Sequence, residues 1–140
     1  MTSGFKETFP ITAGDFASAG EASAKIKSVL RRIGIDPALT RRVTIAAYEA
    51  ELNMIIHSLG GEMVFEINTD AINIYCRDTG PGIADIDMAM QEGYSTASSD
   101  IRMMGFGAGM GLPNIKKNSD AMSIRSDSGG TSLHLRFDIN

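Results

Sequence analysis

Apolar positions change their period along the chain, and the changes divide it into strands and helices. Lys6 to Ile11 alternates as a strand does, and apolar residues then recur at helical spacing from about Asp15 to Ile33, where Gly34 ends the run. Asp36 is placed to cap a second helix with Pro37 at its first position. No breaker follows before Gly60-Gly61, which predicts one long helix over Ala38 to Ser58. Met63 to Asn68 and Ala71 to Arg77 read as two strands at the centre of a sheet, joined by a turn at Asn68-Thr69-Asp70. A short helix around Asp85 to Glu92, a polar and glycine-rich stretch from Gly93, and a helix from Leu112 to Ser119 come next. Two last strands, Ala121 to Ser126 and Ser132 to Asp138, flank a turn at Asp127-Ser128-Gly129-Gly130. Strands in hairpins with few long helices predict an α+β two-layer sandwich, a mixed, mostly antiparallel sheet covered by helices on one face.

Composition narrows what such a layer pair does. The 140 residues, 43% hydrophobic and 21% charged, are the size of one globular domain spanning 1–140. A net charge of −4, with basic residues scattered in short pairs, argues against nucleic acid as a partner. The single cysteine, Cys76, cannot form an internal disulfide, and no signal-like or membrane-length apolar run occurs. These features predict a cytoplasmic, soluble protein without a membrane segment. The nine methionines, five of them between Met88 and Met110, read as soft packing or a surface that repacks around a ligand or partner.

The chemistry concentrates in three places. From Gly105 to Gly111 the chain reads GFGAGMG, just before the helix that opens at Leu112, an arrangement able to present backbone amides and a helix N-terminus to phosphate. It lacks both the Gly-x-x-x-x-Gly-Lys-Ser/Thr and the Gly-x-Gly-x-x-Gly patterns, which excludes a P-loop and a dinucleotide fingerprint. On the second helix Glu49, Asn53 and His57 recur every four residues and share one stripe. A solvated polar face would give the same pattern. The chemical alternative is a site where Asn53 offers a carbonyl oxygen to Mg²⁺ shared with phosphates, and Glu49 binds water or takes a proton. Third, a strand ends in Asp78-Thr79-Gly80-Pro81-Gly82-Ile83, where a carboxylate can accept from an exocyclic amine and so select adenine over guanine. A plain turn explains the same residues.

Their order decides. Glu-x-x-x-Asn on a helix, Asp-x-Gly-x-Gly after a strand, Gly-x-Gly-x-Gly before a helix and Gly-Thr before the last strand together resemble the GHKL ATP-binding superfamily. That superfamily includes gyrase, Hsp90, histidine kinases and the mismatch-repair ATPases. The resemblance covers Phe9 to Phe137 and implies the Bergerat fold, with ATP between helices and sheet. It implies that Asn53 ligates Mg²⁺, that Asp78 reads adenine beside Gly80 and Gly82, and that Thr131 supports the adenine through a water shared with Asp78. Gly107, Gly109 and Gly111 become the phosphate loop, Gly105 an added hinge, and Leu112 the start of the helix behind it. The length resembles the small anti-sigma-factor serine/threonine kinases and the stressosome switch kinase, which act on STAS-type proteins. Asp78 to Ile83 and Ala89 to Thr96 are especially similar to the latter.

By the same carry-over Glu49 is the general base for an acceptor hydroxyl, the partner is a STAS-domain antagonist or a sigma factor, and two copies pair through the sheet or first helix. Arg102 is a candidate for the γ-phosphate or an exposed lid residue, while Lys116 and Lys117 lie too far along their helix. Residues Ala97 to Phe106 lengthen the lid relative to the compact stressosome kinase. Glu51, two residues from both Glu49 and Asn53, is expected to face solvent or a partner. The alternative to a kinase is a non-catalytic module whose grip on a partner changes with ATP.

Overall fold

The computed structural model describes residues 4–80, 90 and 111–139. Strand β1 (Phe5–Ile11) leads through a short 3₁₀ turn (Phe16–Ser18) to helices α1 (Glu21–Arg32) and α2 (Pro37–His57). Strands β2 (Gly61–Ile67) and β3 (Ala71–Asp78) follow, then α3 (Gly111–Asn118), β4 (Ala121–Asp127) and β5 (Gly130–Asp138). The strand order is β1-β2-β3-β5-β4, and all four pairings are antiparallel.

Period-two alternation sets the sheet's register. Met63, Phe65 and Ile67 of β2 stand opposite Cys76, Ile74 and Ile72 of β3, which in turn face Leu133, Leu135 and Phe137 of β5. These rows are buried against Ile26, Leu30, Val43 and Ile115 of the helices. The result is the two-layer α+β arrangement.

Helix α2 is the central element, packed between α1 and α3 and over the sheet. Its start is fixed by the Asp36 carboxylate, which accepts from the backbone N–H of Ala38 at 3.1 Å and of Leu39 at 3.2 Å, with Pro37 in the first turn. Ser58, in extended geometry, stops it, donating to the Met54 carbonyl at 2.6 Å and accepting from the Gly60 N–H at 2.9 Å. Small residues Ala46, Ala47 and Ala50 let its neighbours approach closely. At the far end of α3, Arg42 of α2 donates to the Asn118 carbonyl at 3.1 Å and pairs with Asp120 at 2.9 Å.

Helix α1 starts later than the apolar spacing predicts. Gly20 has φ of 97°, a left-handed conformation that separates the 3₁₀ turn from the helix, so the first turn begins at Glu21 instead of Asp15. The short helix expected over Asp85 to Glu92 lies outside the described residues except for Met90. Among the described residues no helix is long and apolar enough to cross a membrane.

Candidate functional site

Four-residue spacing on α2 does bring Glu49, Asn53 and His57 onto one stripe, and all three are half-buried. The first turn of α3 lies against it. A Cβ built on Gly111 would stand 3.5 Å from Glu49 Oε2 and 3.6 Å from Asn53 Oδ1, so the last glycine of the run sits directly over both side chains. Any larger residue there would occupy the space in front of the carboxylate and the amide. Asn114 stands three residues further along α3. Burial raises the Glu49 carboxyl above its ordinary value, and the Asn114 side chain opposes that rise without cancelling it. Burial likewise holds His57 below its usual range.

The second cluster is at the end of β3. Asp78 is half-buried, and its Oδ1 accepts from the Thr131 N–H at 3.0 Å. Burial raises its carboxyl and the Thr131 bond lowers it, the burial effect being larger. The Thr131 hydroxyl pairs with that of Ser126 at 2.9 Å, so the contact from Thr131 to Asp78 runs directly through its backbone. Two glycines set the position of the aspartate. A Cβ at Gly61 would strike the Arg77 carbonyl and the Asp78 α-carbon, and one at Gly130 would strike the Asp78 carbonyl. Only glycine at both places lets β2 and β5 close on this residue.

Gly80 has φ of 146°, and a Cβ there would lie 3.3 Å from the Leu59 nitrogen and 3.4 Å from the Ser58 α-carbon. Leu59 N–H donates to the Thr79 carbonyl at 2.8 Å and Thr79 N–H to the Gly60 carbonyl at 3.0 Å. The glycine expected beside the purine therefore docks the turn onto the end of α2, tying the Asp78 cluster to the helix that carries Glu49 and Asn53.

Leu112 is buried in the core, which leaves its backbone amide as the group a ligand could reach. Gly82, Gly105, Gly107, Gly109, Arg102 and the lengthened lid of residues 97–106 lie outside the described residues. Lys116 and Lys117 are exposed in the last turn of α3.

Glu51 overturns an expectation. It is 2% exposed and faces neither solvent nor a partner. Its Oε2 accepts from the N–H of Gly20 at 3.1 Å and of Ala22 at 3.2 Å, and its Oε1 from that of Ser23 at 3.1 Å. It caps α1 from a distant helix, satisfying donors that a helix N-terminus leaves unpaired and meeting the positive end of the dipole.

A model of the histidine kinase-like ATPase domain matches residues 12–137. The chain belongs to that family. It is 30% identical over 112 residues to the serine/threonine-protein kinase RsbT of Bacillus subtilis (strain 168), covering 76% of this chain and 78% of that one. It is 32% identical over 128 residues to the anti-sigma F factor of Pasteuria penetrans, covering 84% and 82%, and 30% identical over 132 residues to that of Clostridium beijerinckii, covering 88% and 89%. In fold it is similar to a chain in the crystal structure of the SiaB-SiaC complex from Pseudomonas aeruginosa, with a TM-score of 0.56, 14% identity, and coverage of 95% and 89%. An ATP-binding regulatory role of the kinase and anti-sigma-factor type follows from the family and these relatives.

Proposed function

We propose that this chain, acting as one domain over residues 1–140, is a cytoplasmic serine/threonine protein kinase that transfers the γ-phosphoryl of ATP to a STAS-type partner. The observation that carries the proposal is Gly111 packed over both Glu49 and Asn53, which joins the end of the glycine run to the polar stripe of α2. The first turn of α3 and the stripe of α2 thus meet at the residues proposed for phosphate and metal.

The residues present fit Mg²⁺-ATP. Asn53 offers a neutral oxygen, and among the described residues no group of three or more His, Cys, Asp or Glu side chains could hold a metal by itself. A metal at Asn53 would therefore take its remaining ligands from phosphates and water. Bound Mg²⁺-ATP supplies the phosphoryl group and neutralises its charge. Asp78 has a second carboxylate oxygen beyond the one that Thr131 occupies, and that oxygen is the acceptor for the adenine amine. Gly111, at the N-terminus of α3, keeps a side chain clear of the phosphates. Glu49 orients the incoming hydroxyl and takes its proton. Its burial suits that role, because a carboxyl with a raised proton affinity is a better base.

A second reading has support in the two relatives named anti-sigma F factor: ATP-dependent capture of a protein partner without chemistry. One experiment separates the two. Glu49→Gln is expected to bind ATP within roughly threefold of wild type while γ-phosphate transfer to a STAS-domain protein falls about 10²- to 10⁴-fold. Wild-type transfer by the variant removes Glu49 from the mechanism. Absence of transfer by wild type, with partner affinity that depends on ATP, establishes capture instead.

A further inference from the structure

We infer that Ser126 is a positioning residue for purine recognition: it donates to the Thr131 hydroxyl and so leaves the Thr131 proton for N1, the ring nitrogen beside the adenine amine. This rests on the adenine reading of Asp78 above. Helix-facing positions of β3, β5 and β4 change character together at one end of the sheet. Cys76, Leu133 and Ile124 form an apolar row packed into the core, and one pleat beyond them stand Asp78, Thr131 and Ser126. On β2 the residue opposite Asp78 is Gly61, which adds no side chain to the polar row. A few polar groups at the margin of an apolar wall are what orient a ligand in a pocket.

Hydrogen bonds join the three side chains into one unit. Thr131 is held at both ends, its N–H donating to Asp78 Oδ1 at 3.0 Å and its hydroxyl meeting that of Ser126 at 2.9 Å. Ser126 and Thr131 face each other across the β4–β5 hairpin, whose turn is braced by the Asp127 carboxylate accepting from the Gly129 N–H at 2.7 Å. The Gly80 N–H donates in turn to the Gly129 carbonyl at 3.3 Å, which fastens the hairpin to the segment that follows Asp78. Ser126 therefore keeps a fixed place relative to the carboxylate, although it lies on the edge strand and 48 residues further along the chain.

Counting protons gives the bond its consequence. A hydroxyl has one proton and two lone pairs, and the 2.9 Å separation admits either partner as donor. If Thr131 gave its proton to Ser126, it would offer a ligand only lone pairs, next to the second oxygen of Asp78, and the row would present acceptors alone. If Ser126 gives the proton, Thr131 keeps its own. The row then presents an acceptor from Asp78 beside a donor from Thr131. Adenine carries the complement of that second arrangement, an amine that donates beside N1, which accepts. Guanine carries a carbonyl beside an N1–H, so each of its groups meets a like group. The direction of one hydroxyl bond thus turns a pair of side chains into a purine selector, because rejection by unmatched polar groups discriminates more strongly than loss of a contact.

Binding calorimetry with Mg²⁺ and three nucleotides tests this. The probes are ATP, 1-deaza-ATP, in which N1 is replaced by C–H and the amine is kept, and purine riboside triphosphate, in which N1 is kept and the amine is absent. Wild type is expected to bind ATP about tenfold more tightly than either analogue. Ser126→Ala lowers the preference over 1-deaza-ATP to about threefold or less and leaves the preference over purine riboside triphosphate as it was. Ser126→Thr keeps the hydroxyl and restores the first preference. Thr131→Val loses it as Ser126→Ala does, and combining the two replacements lowers it no further. A Ser126 that only ties β4 to β5 would weaken all three nucleotides alike in Ser126→Ala, so an unchanged preference over 1-deaza-ATP in that variant overturns the inference. Equal binding of ATP and 1-deaza-ATP by wild type overturns it as well. The other ratio keeps the two readings apart: wild type that binds purine riboside triphosphate as tightly as ATP refutes the Asp78 assignment and this inference with it, whereas an intact preference for the amine beside a 1-deaza-ATP ratio indifferent to Ser126 sinks Ser126 alone.

Discussion

Helix α2 presents two carboxylates two residues apart, to opposite neighbours. Glu51 faces α1 and accepts three backbone N–H bonds, spread over both of its oxygens. Glu49 faces α3, where a Cβ at Gly111 would stand 3.5 Å from its Oε2 and no backbone N–H among the described residues is bonded to it. Two residues at 100° each turn the helix by about 200°, enough to reverse the direction in which the carboxylate points. A carboxylate has roughly four acceptor positions. When fixed backbone donors fill most of them it is a joint, and when most remain open in a half-buried place it is a reagent. The two faces of α2 divide along that line, stability toward α1 and chemistry toward α3.

Removing the joint is the largest perturbation. Glu51→Ala leaves the first N–H groups of α1 without acceptors inside the protein, and is expected to cost about 3 kcal/mol of folding stability. For a chain of this size that lowers Tm by roughly 10 °C. ATP affinity of the folded variant, measured well below its Tm, stays within about threefold of wild type. A variant of unchanged stability would dissolve the distinction between the faces, and one that folds normally but loses ATP would move Glu51 into the site.

Why this contrast was not legible in the sequence is instructive. Spacing on one helix fixed the stripe of Glu49, Asn53 and His57, and local turn chemistry located Asp36 as a cap and the hairpin turns. The strands were found because residues of β2 and β5 alternate across the single sheet and β3 reads as an apolar run beside them. Glu51 failed because a helical wheel states where a side chain points but not what stands there; its partners, Gly20 to Ser23, are 28 to 31 residues away in the chain. The late start of α1 has the same origin, since the cap that fixes it comes from another helix. Gly61 and Gly130 looked like ordinary turn glycines, although what requires them is the backbone of β3 pressed between two strands.

The opposite face is tested by Asn53→Ala. Affinity for Mg²⁺-ATP is expected to fall tenfold or more, a loss of about 1.4 kcal/mol at least, while stability to denaturant moves by no more than roughly 0.5 kcal/mol. The sharper measurement is calorimetry with ATP in excess EDTA. If Asn53 acts through the metal, wild type and variant bind metal-free nucleotide alike. Equal weakening with and without Mg²⁺ would assign Asn53 to the nucleotide itself, and an unchanged affinity for Mg²⁺-ATP would remove it from the site.

The smallest effect carries the most information, because its sign reverses between the two faces. Burial raises the folded-state proton affinity of Glu49 above that of the unfolded chain, so its protonated form is the one that folding favours. The stability it contributes is fully present below the ordinary glutamate range and is lost as pH rises through the raised folded value. At neutral pH the ionised carboxylate is therefore a small burden, screened because the group is half-exposed. Glu49→Gln should relieve it, gaining no more than about 0.5 kcal/mol at pH 7, with the gain shrinking as the solution is acidified and wild type protonates. Denaturant unfolding of wild type and Glu49→Gln across pH 4 to 8 measures that difference, and a destabilised variant at pH 7 would mean that Glu49 holds the fold as Glu51 does. The same amide replacement at Glu51 removes the charge from a full set of N–H donors and must destabilise at neutral pH. A reagent costs its protein stability where a joint supplies it, and opposite signs for two glutamates two residues apart would demonstrate that difference within one helix.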